Sequence, residues 1–172
     1  MAKIVLAVCG SVAAVRVAEL IREFARRGVS VECVMSEASK KIIHPNVLEW
    51  ASGSKVICEI SGAVEHVRLC GVEGEADLLL VCPATSNTIS KIACGIDDTP
   101  VTTFAVTALG SGLSLVIVPA MHVSMYYNPF VVENIKKLKA AGVTFIDPEV
   151  EENKAKLAEN DVIIEKVLEV LG

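Results

Sequence analysis

Apolar runs alternate with amphipathic stretches along the whole chain, and the runs are the clearest guide to its elements. Residues 3–9 (KIVLAVC) are apolar at nearly every position and are closed by Gly10-Ser11. Such a run fits a strand covered on both faces. From Val12 to Arg27 the apolar residues Val15, Ala18, Leu20, Ile21 and Phe24 recur at helical spacing, and Gly28 ends the pattern. Val29 to Met35 predicts a second strand, running into a polar turn, Ser36-Glu37-Ala38-Ser39, that offers an N-cap.

The next stretch is less regular, with a short helix near Asn46 to Ala51 and a short strand at Lys55 to Ile57. Asp77 to Cys82 (DLLLVC) is again a buried strand, stopped by Pro83, and Ser86 to Cys94 is a helix closed by Gly95. Pro100 to Leu109 predicts a helix, Ser114 to Val118 a strand stopped by Pro119, and Pro129 to Ala141 a helix closed by Gly142. Val143 to Ile146 fits an edge strand and Asn160 to Leu171 a terminal amphipathic helix. The charged residues from Glu149 to Glu169 fit the solvated face of helical segments.

Strands separated by helices, with right-handed crossovers, predict an α/β protein: a flavodoxin-like, Rossmann-like doubly wound parallel sheet in three layers. The 172 residues suit one domain. Ligands of such sheets sit outside the carboxyl ends of the strands, so functional residues are expected just after strands.

A net charge of −5, with acidic and basic residues interspersed, gives no electrostatic reason to expect a nucleic-acid or anionic-membrane partner. No apolar run reaches the roughly 18 residues a membrane span needs. The six cysteines, Cys9, Cys33, Cys58, Cys70, Cys82 and Cys94, form no C-x-x-C pair and have no histidine at zinc spacing, so no metal site is expected. Most read as core thiols of a reducing, cytoplasmic compartment.

Four segments follow strands: Cys9-Gly10-Ser11-Val12, Ser36 to Ser39, Pro83 to Thr88, and Pro119 to His122. Together they offer small residues, hydroxyls and one amide, which lets a backbone approach a ligand and offer N–H and O–H donors to a phosphate. The first lacks the G-x-G-x-x-G spacing of a dinucleotide fingerprint. Taken singly, Gly10-Ser11 is also an ordinary turn, and Ser36 and Ser39 are also helix caps.

Two long stretches, PATSNTISKIACGIDD (83–98) and PAMHVSMYYNPFVVENIKKLKAAG (119–142), resemble the homo-oligomeric flavin-containing cysteine decarboxylases. Those proteins carry a PASANT-like loop, a PxMNxxMW-like loop, a glycine and serine turn after the first strand, and a histidine before the PASANT strand. His66, in EHVRL, stands at the last position. The resemblance runs to about Pro148. It implies FMN, with its phosphate near Gly10, Ser11, Val12, Ser36 and Ser39 and its ring beside Thr85, Asn87, Thr102, Thr103, Ala120 and Met121. It also implies a homotrimer or homododecamer with the flavin near a subunit boundary. In the decarboxylases of the family, flavin oxidises a cysteine thiol and the thioaldehyde loses carbon dioxide.

The chain departs from the family pattern at His122, where the family has asparagine, and at Tyr126, where it has tryptophan. Residues 149–172 also lack the cysteine-bearing clamp of the phosphopantothenoylcysteine decarboxylases. Histidine exchanges protons near neutrality and an amide does not, so His122 alters the substrate loop. His66, Asn87 and His122 are the candidate catalytic residues. Tyr126 and Tyr127 suit either the flavin or a subunit contact, Trp50 a satellite cluster or an interface, and His44 a loop. The first expectation is an FMN-dependent redox protein that exchanges electrons with a partner protein or small cofactor. The alternative is a decarboxylase of a cysteine-containing acid taken as a small-molecule substrate, and a flavin prenyltransferase ranks below both.

Overall fold

A computed structural model describes residues 1–172 and builds its centre from the apolar runs. β1 (Lys3–Val8), β2 (Ser30–Met35), β3 (Leu78–Ala84), β4 (Leu115–Pro119) and the two-residue β6 (Thr144–Phe145) form a parallel sheet in the order β2-β1-β3-β4-β6. Alternate residues of the central strands enter different cores. Ile4, Leu6 and Val8 of β1 join Leu78, Leu80 and Cys82 of β3 on one face, whereas Val5, Ala7, Leu79 and Val81 face the other. This two-sided burial is why these strands read as unbroken apolar runs.

The first face is covered by a 3-10 turn (Val12–Arg16) leading into α1 (Val17–Arg26), by α3 (Pro45–Ser52) and by α9 (Asn160–Leu171). The second is covered by α4 (Glu65–Cys70), α5 (Ser86–Ala93), α6 (Pro100–Ser111) and α8 (Pro129–Ala140). The result is the expected flavodoxin-like, doubly wound, three-layer α/β fold. The chain after β1 leaves toward one face and that after β3 toward the other, so a crevice opens between them at the carboxyl edge.

Several local expectations change. Val15 lies in the 3-10 turn, whose three-residue period carries it off the buried stripe, and it is exposed. The expected strand at 55–57 reduces to one parallel bridge between Val34 and Ile57. His44 lies in the loop before α3, as expected, and there its Nδ1 accepts from the Asn46 N–H and caps the helix. Trp50 is 67% exposed, beneath the Arg22 guanidinium, and fills no core cluster.

The largest difference lies at 149–156, where a β-ribbon replaces the expected helical face. β5 (Met121–His122), β7 (Glu149–Glu151) and β8 (Lys154–Lys156) form an antiparallel sheet in the order β5-β8-β7. Glu152 and Asn153 both take positive φ (47° and 62°), as a two-residue hairpin turn of the right twist requires. No helix is long and apolar enough to cross a membrane.

Candidate functional site

The turn after β1 is made by close backbone approach. A Cβ added to Gly10 would lie 2.4 Å from the Ala38 Cβ of α2 (Glu37–Lys40), so only glycine lets the two turns meet without displacement. Ser11 accepts from the Ala13 N–H at 3.4 Å and caps the 3-10 turn, while Val12 projects into solvent, 80% exposed. The Cys9 N–H donates to the Pro83 carbonyl, the Ser36 N–H to Val8 and the Ala120 N–H to Ala84, which ties all four loops to one rim.

Within the second loop, Ser36 Oγ accepts from the Ser39 N–H at 3.2 Å, and the buried Ser39 hydroxyl donates to the Ser36 carbonyl at 2.7 Å. Thr85 caps α5 by accepting from the Thr88 N–H at 3.3 Å, and Asn87 is exposed in the first turn of that helix. Thr102 is buried in a capping box with Thr99, and Thr103 Oγ1 donates to the carbonyls of Asp97 and Thr99, both at 2.9 Å. These hydroxyls therefore shape the helix starts at the rim.

His66 sits in the first turn of α4, a helix the sequence pattern does not mark. Its ring meets Phe104 of α6 edge-on, with centroids 6.4 Å apart. Its Nδ1 is buried and has no hydrogen-bond partner, the only such side-chain atom in the protein. Burying a polar atom without a partner is costly, so this nitrogen is a strained feature of the rim.

A cleft of about 410 Å³ brings together Ser11, Val12, Ala120, Met121 and His122 from the expected residues. It is completed by Ala13 and Arg16, and by Lys154 to Leu157 of the ribbon, none of which the sequence reading singled out. No carboxylate lines it. Thr103 lines a separate hollow with Glu37, Cys58 and Asp97 to Pro100, while His66 and the Thr85 loop lie outside the cleft wall. His122 belongs to β5 and its Nδ1 accepts from the Ser124 N–H at 3.2 Å, capping α7 (Val123–Tyr126). Tyr126 donates to Asp147 at 3.4 Å, and burial, reinforced by that carboxylate, pushes its hydroxyl up to about 12. Cys9, beneath the rim, is raised to about 11 by burial, opposed by a hydrogen bond with Thr88.

The profile of the Flavoprotein family matches residues 1–172. The chain belongs to the Flavoprotein family. Among members, it is 56% identical to the "Coenzyme A biosynthesis bifunctional protein CoaBC" of Thermococcus kodakarensis over 98% of this chain but 42% of that protein. The chain thus spans less than half the length of that relative. It is 34% identical to the "Probable phosphopantothenoylcysteine decarboxylase" of Streptococcus mutans, with 98% of both chains covered. Among solved structures, the FMN-dependent cysteine decarboxylase SpaF superposes with a TM-score of 0.85 at 25% identity, covering 100% of this chain and 98% of that one. A flavin cofactor follows from the Flavoprotein family, and FMN is the flavin named for SpaF. These relatives favour the decarboxylase reading over the electron-transfer reading that the sequence put first.

Proposed function

We propose that the chain is an FMN-dependent decarboxylase that removes the cysteine carboxylate of phosphopantothenoylcysteine. The observation that carries this reading is the buried, unpartnered Nδ1 of His66 at the carboxyl rim. A histidine held without a partner is poised to exchange a proton with a ligand group, which an electron carrier does not need.

The rim fits FMN. Gly10 leaves room where a side chain would clash with Ala38, and Ser11, Val12 and Ala13 line, with Ala120 and Met121, a cleft with cationic side chains and no carboxylate. Ser11, Val12 and Ala13 would hold the phosphate and Ala120 and Met121 the ring, with Asn87 and Thr85 at the neighbouring turn. Ser36, Ser39, Thr102 and Thr103 hold the shape of the surrounding helix starts. Bound FMN supplies a two-electron acceptor for the thiol-bearing end of the substrate, which labilises the carboxylate. His66 takes the thiol proton at Nδ1, which is buried where its ring meets Phe104 edge-on. Exposed Val12, Val15 and Phe130 support association of copies into the trimer or dodecamer that the resemblance implies.

The decisive measurement is carbon dioxide release from phosphopantothenoylcysteine by the FMN-loaded chain. We expect His66→Asn to lose roughly 100-fold or more in kcat while keeping its flavin. Absence of carbon dioxide from flavin-loaded wild type, or full activity in the variant, overturns the reading.

A further inference from the structure

α4 carries His66, yet little in its own sequence holds it in place. It has six residues, its N-cap Val64 supplies no side-chain bond, and the Glu65 carboxylate ties back to Ser61 in its own loop. Arg68 reaches Glu32 of β2 and Glu75, but it stands two residues from His66 and so faces another side of the helix. None of these ties sets His66 against α6.

The far end of α4 supplies that tie. The last four carbonyls of a helix have no partner within it. Here Val67 accepts from the Gly71 N–H at 2.9 Å, Arg68 from the Glu75 N–H at 3.0 Å and Leu69 from the Ala76 N–H at 3.0 Å, all donors from the chain just downstream. No backbone N–H reaches the Cys70 carbonyl. It accepts instead from the Ser111 hydroxyl of α6 at 2.6 Å, across 41 positions of sequence, in the one hydrogen bond that joins the two helices.

Ser111 is itself fixed. α6 ends at this residue, with Gly112 at φ 78° and the Leu113 N–H donating to the Ala108 carbonyl at 3.0 Å. The Ala108 carbonyl also lies 3.1 Å from the Ser111 hydroxyl, but it already has a backbone donor and the Cys70 carbonyl has none. The hydroxyl therefore serves Cys70.

Phe104 and Ser111 lie two turns apart on one face of α6, and His66 and Cys70 lie one turn apart on α4. α4 is thus pinned to that face at two points, by the His66 ring on Phe104 and by Ser111 on the last carbonyl. Apolar packing is non-directional and tolerates sliding, whereas a hydrogen bond sets the register. Resting on the decarboxylase reading, we infer that Ser111 is a positioning residue, whose hydroxyl fixes α4 on α6 and so holds the His66 Nδ1 in place for the substrate thiol.

The test uses the FMN-loaded chain with its three histidines labelled with nitrogen-15. Ring-nitrogen resonances are assigned to His66 by their loss in His66→Asn, which leaves His44 and His122 as internal references. In Ser111→Ala the His66 resonances should move while the other two sets stay. kcat should fall about tenfold, within the roughly hundredfold that a misplacement of about 1 Å costs, with KM and flavin content unchanged. Ser111→Thr, which keeps the hydroxyl, should restore both resonances and turnover. In the His66→Asn background Ser111→Ala should cost no further turnover, because the group it positions is gone. His66 resonances that stay in Ser111→Ala overturn the inference, as does a loss that Ser111→Thr leaves unrepaired, one that recurs in full in His66→Asn, or one confined to KM or flavin content. Resonances displaced by alanine and restored by threonine, without carbon dioxide release from flavin-loaded wild type, would uphold the positioning and remove the decarboxylase reading alone.

Discussion

Arg16 Nη1 donates to the main-chain carbonyl of Leu157 at 3.2 Å, bridging 141 positions of sequence and fixing the exit of the ribbon to the start of α1. The same guanidinium pairs with Glu159 at 2.9 Å. Its side chain is 31% exposed, so solvent screens part of this. Arg16→Ala should cost about 1 kcal/mol of stability. Its sharper effect should be local: hydrogen exchange at 149–158 should accelerate while the central strands stay protected. Uniform protection across the ribbon in the variant would show that Arg16 does not anchor it.

The turn after β1 makes a second prediction. Gly10→Ala forces its new methyl to within 2.4 Å of the Ala38 Cβ, with the Ala38 carbonyl carbon at 3.1 Å behind it. Overpacking of this kind costs about 1–3 kcal/mol. The turn must open, so FMN affinity should fall with stability. Adding Ala38→Gly should recover part of both, because the closest atom is then gone. A Gly10→Ala chain with wild-type thermal stability would refute the close approach.

The same contrast explains what the sequence could show. β1, β3 and β4 were legible because burial on both faces leaves only apolar residues, as in Leu78 to Val81. Ser11, Ser36 and Thr85 were legible because each follows a strand and caps a helix start. The ribbon was hidden. Its strands are three residues of mostly charged side chain, EVE and KAK, and their pairing with Met121 and His122 is set by tertiary contact. The positive-φ pair Glu152-Asn153 gave one weak turn signal, its asparagine. α4 was hidden likewise, because its N-cap is Val64 at φ 45°, which offers no capping side chain.

Thiol chemistry gives a third prediction. Burial pushes Cys33 and Cys70 up to about 12 and Cys82 further still, and Cys9 to about 11. Near pH 8 these four hold almost no thiolate, the form that reacts. The exposed Cys94 should react promptly with an aromatic disulfide reagent. Half-buried Cys58, also raised by burial, should follow slowly, and the other four only on unfolding. Prompt modification of Cys9 or Cys82 in folded protein would contradict their burial.

Acid should loosen the network that holds α4. Glu75 accepts from Lys3 at 2.6 Å and from Arg68 at 3.1 Å, and Arg68 also reaches Glu32. The Lys3 bond, then Arg68, holds the Glu75 carboxyl below its ordinary 4.5. A carboxylate depressed in the folded state stabilises above its unfolded value, and that contribution disappears as pH falls through the folded one. Glu75→Gln should therefore lower Tm at pH 7 and lose its deficit as the pH falls below about 4. A deficit independent of pH would assign the effect to packing.

His66 separates stability from activity. Its buried Nδ1 has no partner, and such an atom carries a penalty of about 1–3 kcal/mol. Its ring nevertheless meets Phe104 at 67°, a geometry that an aromatic hydrocarbon would keep. His66→Phe removes the orphaned nitrogen and preserves the edge contact, so the folded chain should gain about 1 kcal/mol, a rise of roughly 2–4 °C in Tm. Turnover should fall about 100-fold or more, because no atom is left to take the proton. His66→Asn, which keeps a polar group in the same place, should lose activity without that gain. A His66→Phe chain less stable than wild type would mean that the nitrogen has a structural partner, and the argument that it waits for substrate would fail with it.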